Sequence, residues 1–168
     1  NGYTGEFMTT SYALADGYNT WFNGLDNRIY TVGKGPSQMT VTAPDAGLAS
    51  GQSVVIRGSV TDLSHGSEQE EVHERFSKGL PVCSDASMKD WMGYVYQQKP
   101  LPTNFTGVDV MVNVVDANGN YRSIGTTVSS SNGAFGFTWT PDISGEYKLY
   151  ASFEGSNSYW PSVAETNF

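Results

Sequence analysis

Cysteine, positive charge, histidine and long apolar runs are what this chain of 168 residues has least of. Its single cysteine, Cys83, has no second thiol to pair with inside the chain, so stability must come from a hydrophobic core. The reading of Cys83 is a small buried hydrophobe. Nine Lys and Arg stand against seventeen Asp and Glu, a formal net charge of -8. Such an acidic surface repels nucleic acid and anionic lipid, which removes both from the expected partners. No stretch approaches the roughly 20 consecutive apolar residues of a membrane helix, so no membrane insertion of this chain is expected. With two histidines, no Gly-x-Ser-x-Gly elbow and no phosphate-binding glycine loop, the residues for nucleophilic or nucleotide chemistry are missing. The chain is therefore expected not to be an enzyme and to carry no cofactor.

What is present is β-forming. Aromatics make up 13% of the chain and charged residues only 15%, with 19 glycines and many Thr, Ser and Asn. That is the profile of a secreted or surface β-protein, opening on Asn1-Gly2-Tyr3 as a mature or excised piece would. Phe7, Thr9 and Ser11 suggest one extended segment. Residues 18–23 and 28–32 flank Gly24-Leu25-Asp26-Asn27 and read as a hairpin. A lone hairpin is marginal in water, so it needs a sheet to join, on its own chain or another. Gly33-Lys34-Gly35-Pro36-Ser37 is the linker. The expected division is an N-terminal extension at 1–35 and a sandwich domain at 36–168.

Within the sandwich, Met39, Val41 and Ala43 alternate with polar residues, closed by Pro44-Asp45-Ala46-Gly47. Val54, Ile56, Gly58 and Val60 share one face of the next run. Val108, Val110, Val112 and Val114 follow the same rule, then a turn at Asp116-Ala117-Asn118-Gly119-Asn120. A return strand at 121–128, a turn at Ser131-Asn132-Gly133, and the alternations Phe135/Phe137/Trp139 and Tyr147/Leu149/Ala151/Phe153 complete the pattern. Turns every 8–12 residues between alternating strands are the sandwich signal.

A helical insert at about 67–99 interrupts this β pattern. Ser67 with Glu70 fits a capping box, Glu68, Glu70 and Glu71 suit a helix start, and Gly79 suits a stop. Ser87 with Asp90 offers a second box. Met88, Trp91, Met92 and Val95 form an apolar stripe ended by Lys99-Pro100, expected to pack down on the sandwich.

The runs Val115-Asp116-Ala117-Asn118-Gly119, Ile124-Gly125-Thr126-Thr127, Trp139-Thr140-Pro141-Asp142, Gly145-Glu146-Tyr147 and Phe153-Glu154-Gly155, ending Tyr159-Trp160-Pro161-Ser162, resemble immunoglobulin-like domains of bacterial and archaeal surface proteins. The resemblance covers roughly residues 37–168. The insert, with Gly79-Leu80-Pro81 and Trp91-Met92-Gly93-Tyr94-Val95-Tyr96, is similar to a subgroup in archaeal surface proteins that follows a PQQ-like β-propeller. Ala15-Asp16-Gly17-Tyr18 and Asp26-Asn27-Arg28-Ile29-Tyr30 look like the last strands of a propeller blade, but only one copy is present, so no quinone site follows. The resemblance implies a mainly β, immunoglobulin-like sandwich with a two-helix insertion and an N-terminal hairpin extension. It implies a non-catalytic surface module.

Several constellations invite a chemical reading. Glu70 and His73 share one helical face, the start of a weak metal site, although zinc needs three or four ligands. Asp116, Asn118 and Asn120 mimic the start of a calcium loop without its closing Glu, and a hairpin turn explains them. Asn104-Phe105-Thr106 is the only Asn-x-Ser/Thr sequence and so the candidate glycosylation site. Trp21, Tyr94, Tyr96, Tyr159 and Trp160 could form a sugar-stacking face, against the commoner role of such residues in packing. The expected function is a structural or interaction module at the cell surface, meeting other surface-protein domains, copies of itself, or glycans. The alternatives are a filament or sheath subunit assembled by N-terminal strand exchange, and a carbohydrate- or metal-binding module.

Overall fold

Alternation in the sequence becomes two antiparallel sheets whose inner faces share one core. The computed structural model describes residues 20–25, 27–31, 33–44, 47, 49 and 51–168. The segment around Phe7, Thr9 and Ser11, the run 15–18, Asp26, Val32, Asp45, Ala46 and the side chain of Trp21 lie outside the described residues.

The N-terminal hairpin is present in the backbone. Strand β1 (Thr20–Asn23) pairs with β2 (Arg28–Thr31) from Asn23 opposite Arg28 to Thr20 opposite Thr31. Among the described residues these two strands form a sheet of their own.

Eight further strands build the body. They are β3 (Ser37–Thr42), β4 (Val54–Asp62), β5 (Leu80–Pro81), β6 (Asp109–Val115), β7 (Tyr121–Val128), β8 (Ala134–Trp139), β9 (Lys148–Phe153) and β10 (Ser162–Asn167). One sheet runs β10-β9-β6-β7. In the other, β4 pairs with β3 on one side and with β5 and β8 on the other. All pairings are antiparallel. Met39, Val41, Val54, Ile56, Val60 and Phe135 of one sheet meet Val110, Val112, Val114, Leu149, Ala151 and Phe153 of the other in a single cluster. Each of these side chains larger than alanine, fully removed from water, contributes roughly 1.5–3 kcal/mol of transfer free energy. The arrangement is mainly β and consistent with a sandwich.

Two glycines matter to this packing. A Cβ on Gly58 would overlap the Thr40 carbonyl oxygen and the Phe135 ring, so only glycine lets β3 and Phe135 close over β4. Gly119, at φ 83°, donates from its N–H to the Asp116 carbonyl at 2.8 Å and turns β6 into β7. The Asp116 carboxylate accepts the Asn118 and Asn120 backbone N–H groups at 2.9 and 3.0 Å, so its oxygens are engaged in the turn. Ile124 of β7 is left without a partner where the β6–β7 register shifts between Val112 and Asn113, and residues 112–114 of β6 are all buried.

Strand β10 does not stand out in the sequence, because its larger apolar residue, Val163, is exposed and its inward positions are Ser162, Ala164 and Thr166. It forms by pairing along all of β9. The stretch 67–99 is less helical than its caps suggest. A 3₁₀ turn (His65–Glu68) precedes helix α1 (Glu70–Arg75), β5 follows, and helix α2 (Met88–Gln97) closes the stretch.

Neither capping box forms. Ser67 lies inside the 3₁₀ turn, and its hydroxyl donates to the Ser64 and Asp62 carbonyls at 2.7 and 3.1 Å. Gln69 and Ser87 occupy the two N-cap positions without a side-chain cap bond. Helix α1 ends at Arg75, with Phe76 as its cap; Gly79, at φ 94°, instead turns the chain into β5. Helix α2 ends through Gln98 in the left-handed conformation, φ 56°, one residue before Lys99.

Candidate functional site

The stretch 67–99, read from the sequence as an insert, builds a second hydrophobic core rather than laying its stripe on the two sheets. Val72, Leu80, Cys83, Trp91 and Val95 form this cluster, and Phe76, Met92, Tyr94, Tyr96 and Phe105 pack against it. Of the four stripe residues only Met88 also touches the sandwich core. Trp91 is the centre: its ring lies 4.7 Å from Phe105, 5.6 Å from Phe76 and 5.5 Å from Tyr94 between centroids. Edge-to-face pairs of this kind contribute roughly 0.5–1.5 kcal/mol beyond burial. Arg75, on α1, donates to the Val95 and Tyr94 carbonyls at 2.9 and 3.2 Å. Those are last-turn carbonyls of α2, so Arg75 supplies the cation and the donors that a helix C-terminus favours. Its guanidinium also lies 4.5 Å from the Tyr94 ring centroid.

Two carboxylates fasten the flanks of the insert to the connection between β9 and β10. At the end of β4, Asp62 accepts the Ser64 N–H at 2.6 Å, the Ser64 hydroxyl, and the Tyr159 hydroxyl at 3.1 Å. Burial is the main influence on this carboxyl and raises its pKa. The same burial raises the pKa of the Tyr159 phenol. Asp85, in the loop before α2, accepts the Asn157 and Ser158 N–H groups at 3.0 and 3.1 Å and the Ser158 hydroxyl at 2.6 Å. The Ser158 bond leads in holding its carboxyl below the usual range. The linker arrives at the same place: Gly35 donates to the Ser158 carbonyl at 2.8 Å and accepts from the Trp160 N–H at 2.9 Å. Lys34 lies over the Trp160 ring. Nothing in the sequence marks Asp62, Asp85 or Arg75 for these roles, since each is an ordinary charged residue until distant backbone meets it.

The residues singled out from sequence do not converge on one site. Tyr94 belongs to the insert's aromatic cluster, Tyr159 is buried against Asp62, and Trp160 is exposed beside Lys34. Tyr96 packs against the insert's core. Glu70 and His73 are exposed on α1, and among the described residues no group of three or more His, Cys, Asp or Glu comes together. Cys83 is fully buried, and burial pushes its thiol up to about 12, so it holds no thiolate at neutral pH. A cleft of about 140 Å³ opens between Gln52, Asp142, Ile143, Tyr147 and Phe168. There Asp142 is engaged by both terminal nitrogens of Arg122 and held down to about 2, which leaves it ion-paired rather than available as a base. No helix among the described residues is long and apolar enough to cross a membrane. Set beside known protein families, characterised proteins and solved structures, the chain matches none.

Proposed function

We propose that this chain is a non-enzymatic extracellular module of a cell-surface protein: an immunoglobulin-like sandwich from 36 to 168, carrying an insert between its second and third main strands. The observation that carries this reading is the strand order. One sheet holds β3, β4 and β8 and the other holds β10, β9, β6 and β7, so the chain changes layer after β4, after β7 and after β8, which supports a seven-stranded immunoglobulin-like plan. The Tyr147 hydroxyl adds a tyrosine corner, donating to the Ile143 carbonyl at 2.9 Å and accepting the Ile143 N–H at 3.1 Å just before the strand in that position of the plan. The carboxylates Asp62, Asp85, Asp116 and Asp142 are tied to backbone, hydroxyl or guanidinium partners, which supports an architectural rather than catalytic use. Screening the purified chain against ester, phosphate, peptide and glycoside reporters tests this. No turnover is expected, and turnover abolished by a single substitution overturns the reading.

A second reading rests on the separate β1–β2 sheet. A two-stranded sheet presents edges that another chain's strand can complete. In this reading residues 1–33 pair with a neighbouring copy and build a filament or sheath. Removing 1–33 then leaves the sandwich folded and abolishes assembly, measured by native mass and electron microscopy; assembly unchanged by the deletion rejects strand exchange.

A further inference from the structure

The geometry points to Asn104 as the acceptor of an N-linked glycan, displayed on the seam between the insert and the sandwich. The sequence Asn104-Phe105-Thr106 occurs once in the chain. It lies in the connection from α2 to β6, residues 98–108, which belongs to no helix or strand and is exposed over most of its first half. The three residues divide their work. Phe105 turns inward onto Trp91, 4.7 Å between ring centroids. Asn104 and Thr106, on either side of it, are exposed.

The backbone beneath them is fixed: the Thr106 N–H donates to the Ser87 hydroxyl at 2.9 Å, and the Thr106 carbonyl accepts the Ser84 N–H at 2.9 Å. The Ser87 hydroxyl is thereby committed to this segment and not to capping α2. Neither the Asn104 amide nor the Thr106 hydroxyl makes a hydrogen bond among the described residues. Both are thus open to an enzyme that must read the hydroxyl and alkylate the amide. A bulky, hydrated substituent at Asn104 displaces no core contact, because of residues 104–106 only Phe105 packs inward.

The reaction takes a lipid-linked oligosaccharide as donor. The Asn104 Nδ2–C1 bond forms, the C1–oxygen bond to the lipid-borne phosphate breaks, the lipid phosphate departs with that electron pair, and the amide loses one proton. The inference rests on the extracellular reading, since the transferase and its donor act on exported chains.

Acceptor competence is read separately from natural location by secreting the full chain from eukaryotic cells behind a supplied signal sequence. Intact mass is measured before and after peptide-N-glycosidase. The expected result is a mass increase in whole sugar units, removed by the enzyme, with aspartate left at position 104 on peptide mapping. Asn104→Gln and Thr106→Val lose the increase completely while still being secreted, and Thr106→Ser keeps it. Secreted chain at its unmodified mass, or sugar retained in Asn104→Gln, overturns the assignment. The extracellular reading fails by a different result: the natural chain found in the cytosol of its own cell.

Discussion

The sandwich and the insert solve the same problem, burying enough apolar surface, with opposite materials. The sandwich core is built mostly from valine and other aliphatics on long paired strands, and its backbone polar groups are satisfied by the ladders. The insert has helices of 6 and 10 residues, too short to be stable alone, and a core that depends on one tryptophan and its aromatic neighbours. Its buried Trp91 indole N–H has no hydrogen-bond partner among the described residues, a weakness matched on the sandwich by the Arg122 Nε–H of β7. The difference teaches that the insert's stability is borrowed. It comes from β5 pairing on β4 and from Asp62 and Asp85 on the β9–β10 connection, while Arg75 only ties one insert helix to the other.

Two core truncations test this contrast with the largest effects. Trp91→Ala is expected to cost about 3–5 kcal/mol and Leu149→Ala about 2–5 kcal/mol. The distinction is in cooperativity. Leu149→Ala lowers the single transition of the sandwich, seen by every probe. Trp91→Ala removes amide-exchange protection in 70–97 while protection in β6 and β9 persists. Loss of protection in all regions together in Trp91→Ala breaks the comparison and makes the two cores one cooperative unit.

How far this was legible from sequence divides along the same line. Alternating apolar residues in β3, β4, β6, β8 and β9 announce buried faces because a strand's period of two needs no distant information. Strand β10 carries no such signal; its inward residues Ser162, Ala164 and Thr166 are small or polar, and pairing with β9 orders them. The two capping boxes are both false positives: Ser67 and Ser87 have the right spacing to Glu70 and Asp90, but the Ser67 hydroxyl turns back to the carbonyls of residues 62 and 64 and the Ser87 hydroxyl takes the distant Thr106 N–H. Tertiary geometry also decides the carboxylates. Asp62 and Asp85 acquire roles only when residues 157–159 arrive, more than 70 positions later.

The fastening by Asp62 and Asp85 is tested by pH, with smaller effects. Asp85 has a lowered carboxyl pKa, so its stabilisation is complete above the ordinary carboxylate range and is lost as pH falls through the folded value. Asp85→Asn is therefore expected to cost about 1 kcal/mol near neutral pH, discounted for exposure, and less at about pH 3. Asp62 has the opposite sign. Its raised carboxyl binds a proton more readily in the folded chain, so its contribution is full in acid and declines as pH rises through the folded value. The stability gap between the parent chain and Asp62→Asn should then widen toward acid. Urea midpoints measured from about pH 3 to about pH 7 check both slopes, and parallel slopes for the two variants refute the assignment.

The smallest effects separate two serine–carboxylate pairs that look alike in sequence. If Ser67–Glu70 and Ser87–Asp90 were both capping boxes, removing one member of either would weaken its helix by a similar amount. Instead, Ser87 is buried and accepts the Thr106 N–H, whereas Glu70 is exposed at the start of a six-residue helix whose N-cap makes no side-chain bond. Ser87→Ala leaves that N–H without its acceptor and is expected to cost about 1–3 kcal/mol, with exchange protection lost at Thr106. Glu70→Ala removes only a solvated charge near the α1 N-terminus and should cost about 0.3–1 kcal/mol, decreasing with added salt. Equal costs would restore the capping reading and detach Ser87 from the segment that presents Asn104. A large cost at Ser87 alone confirms that the seam between insert and sandwich, rather than either helix end, is where this part of the chain is held.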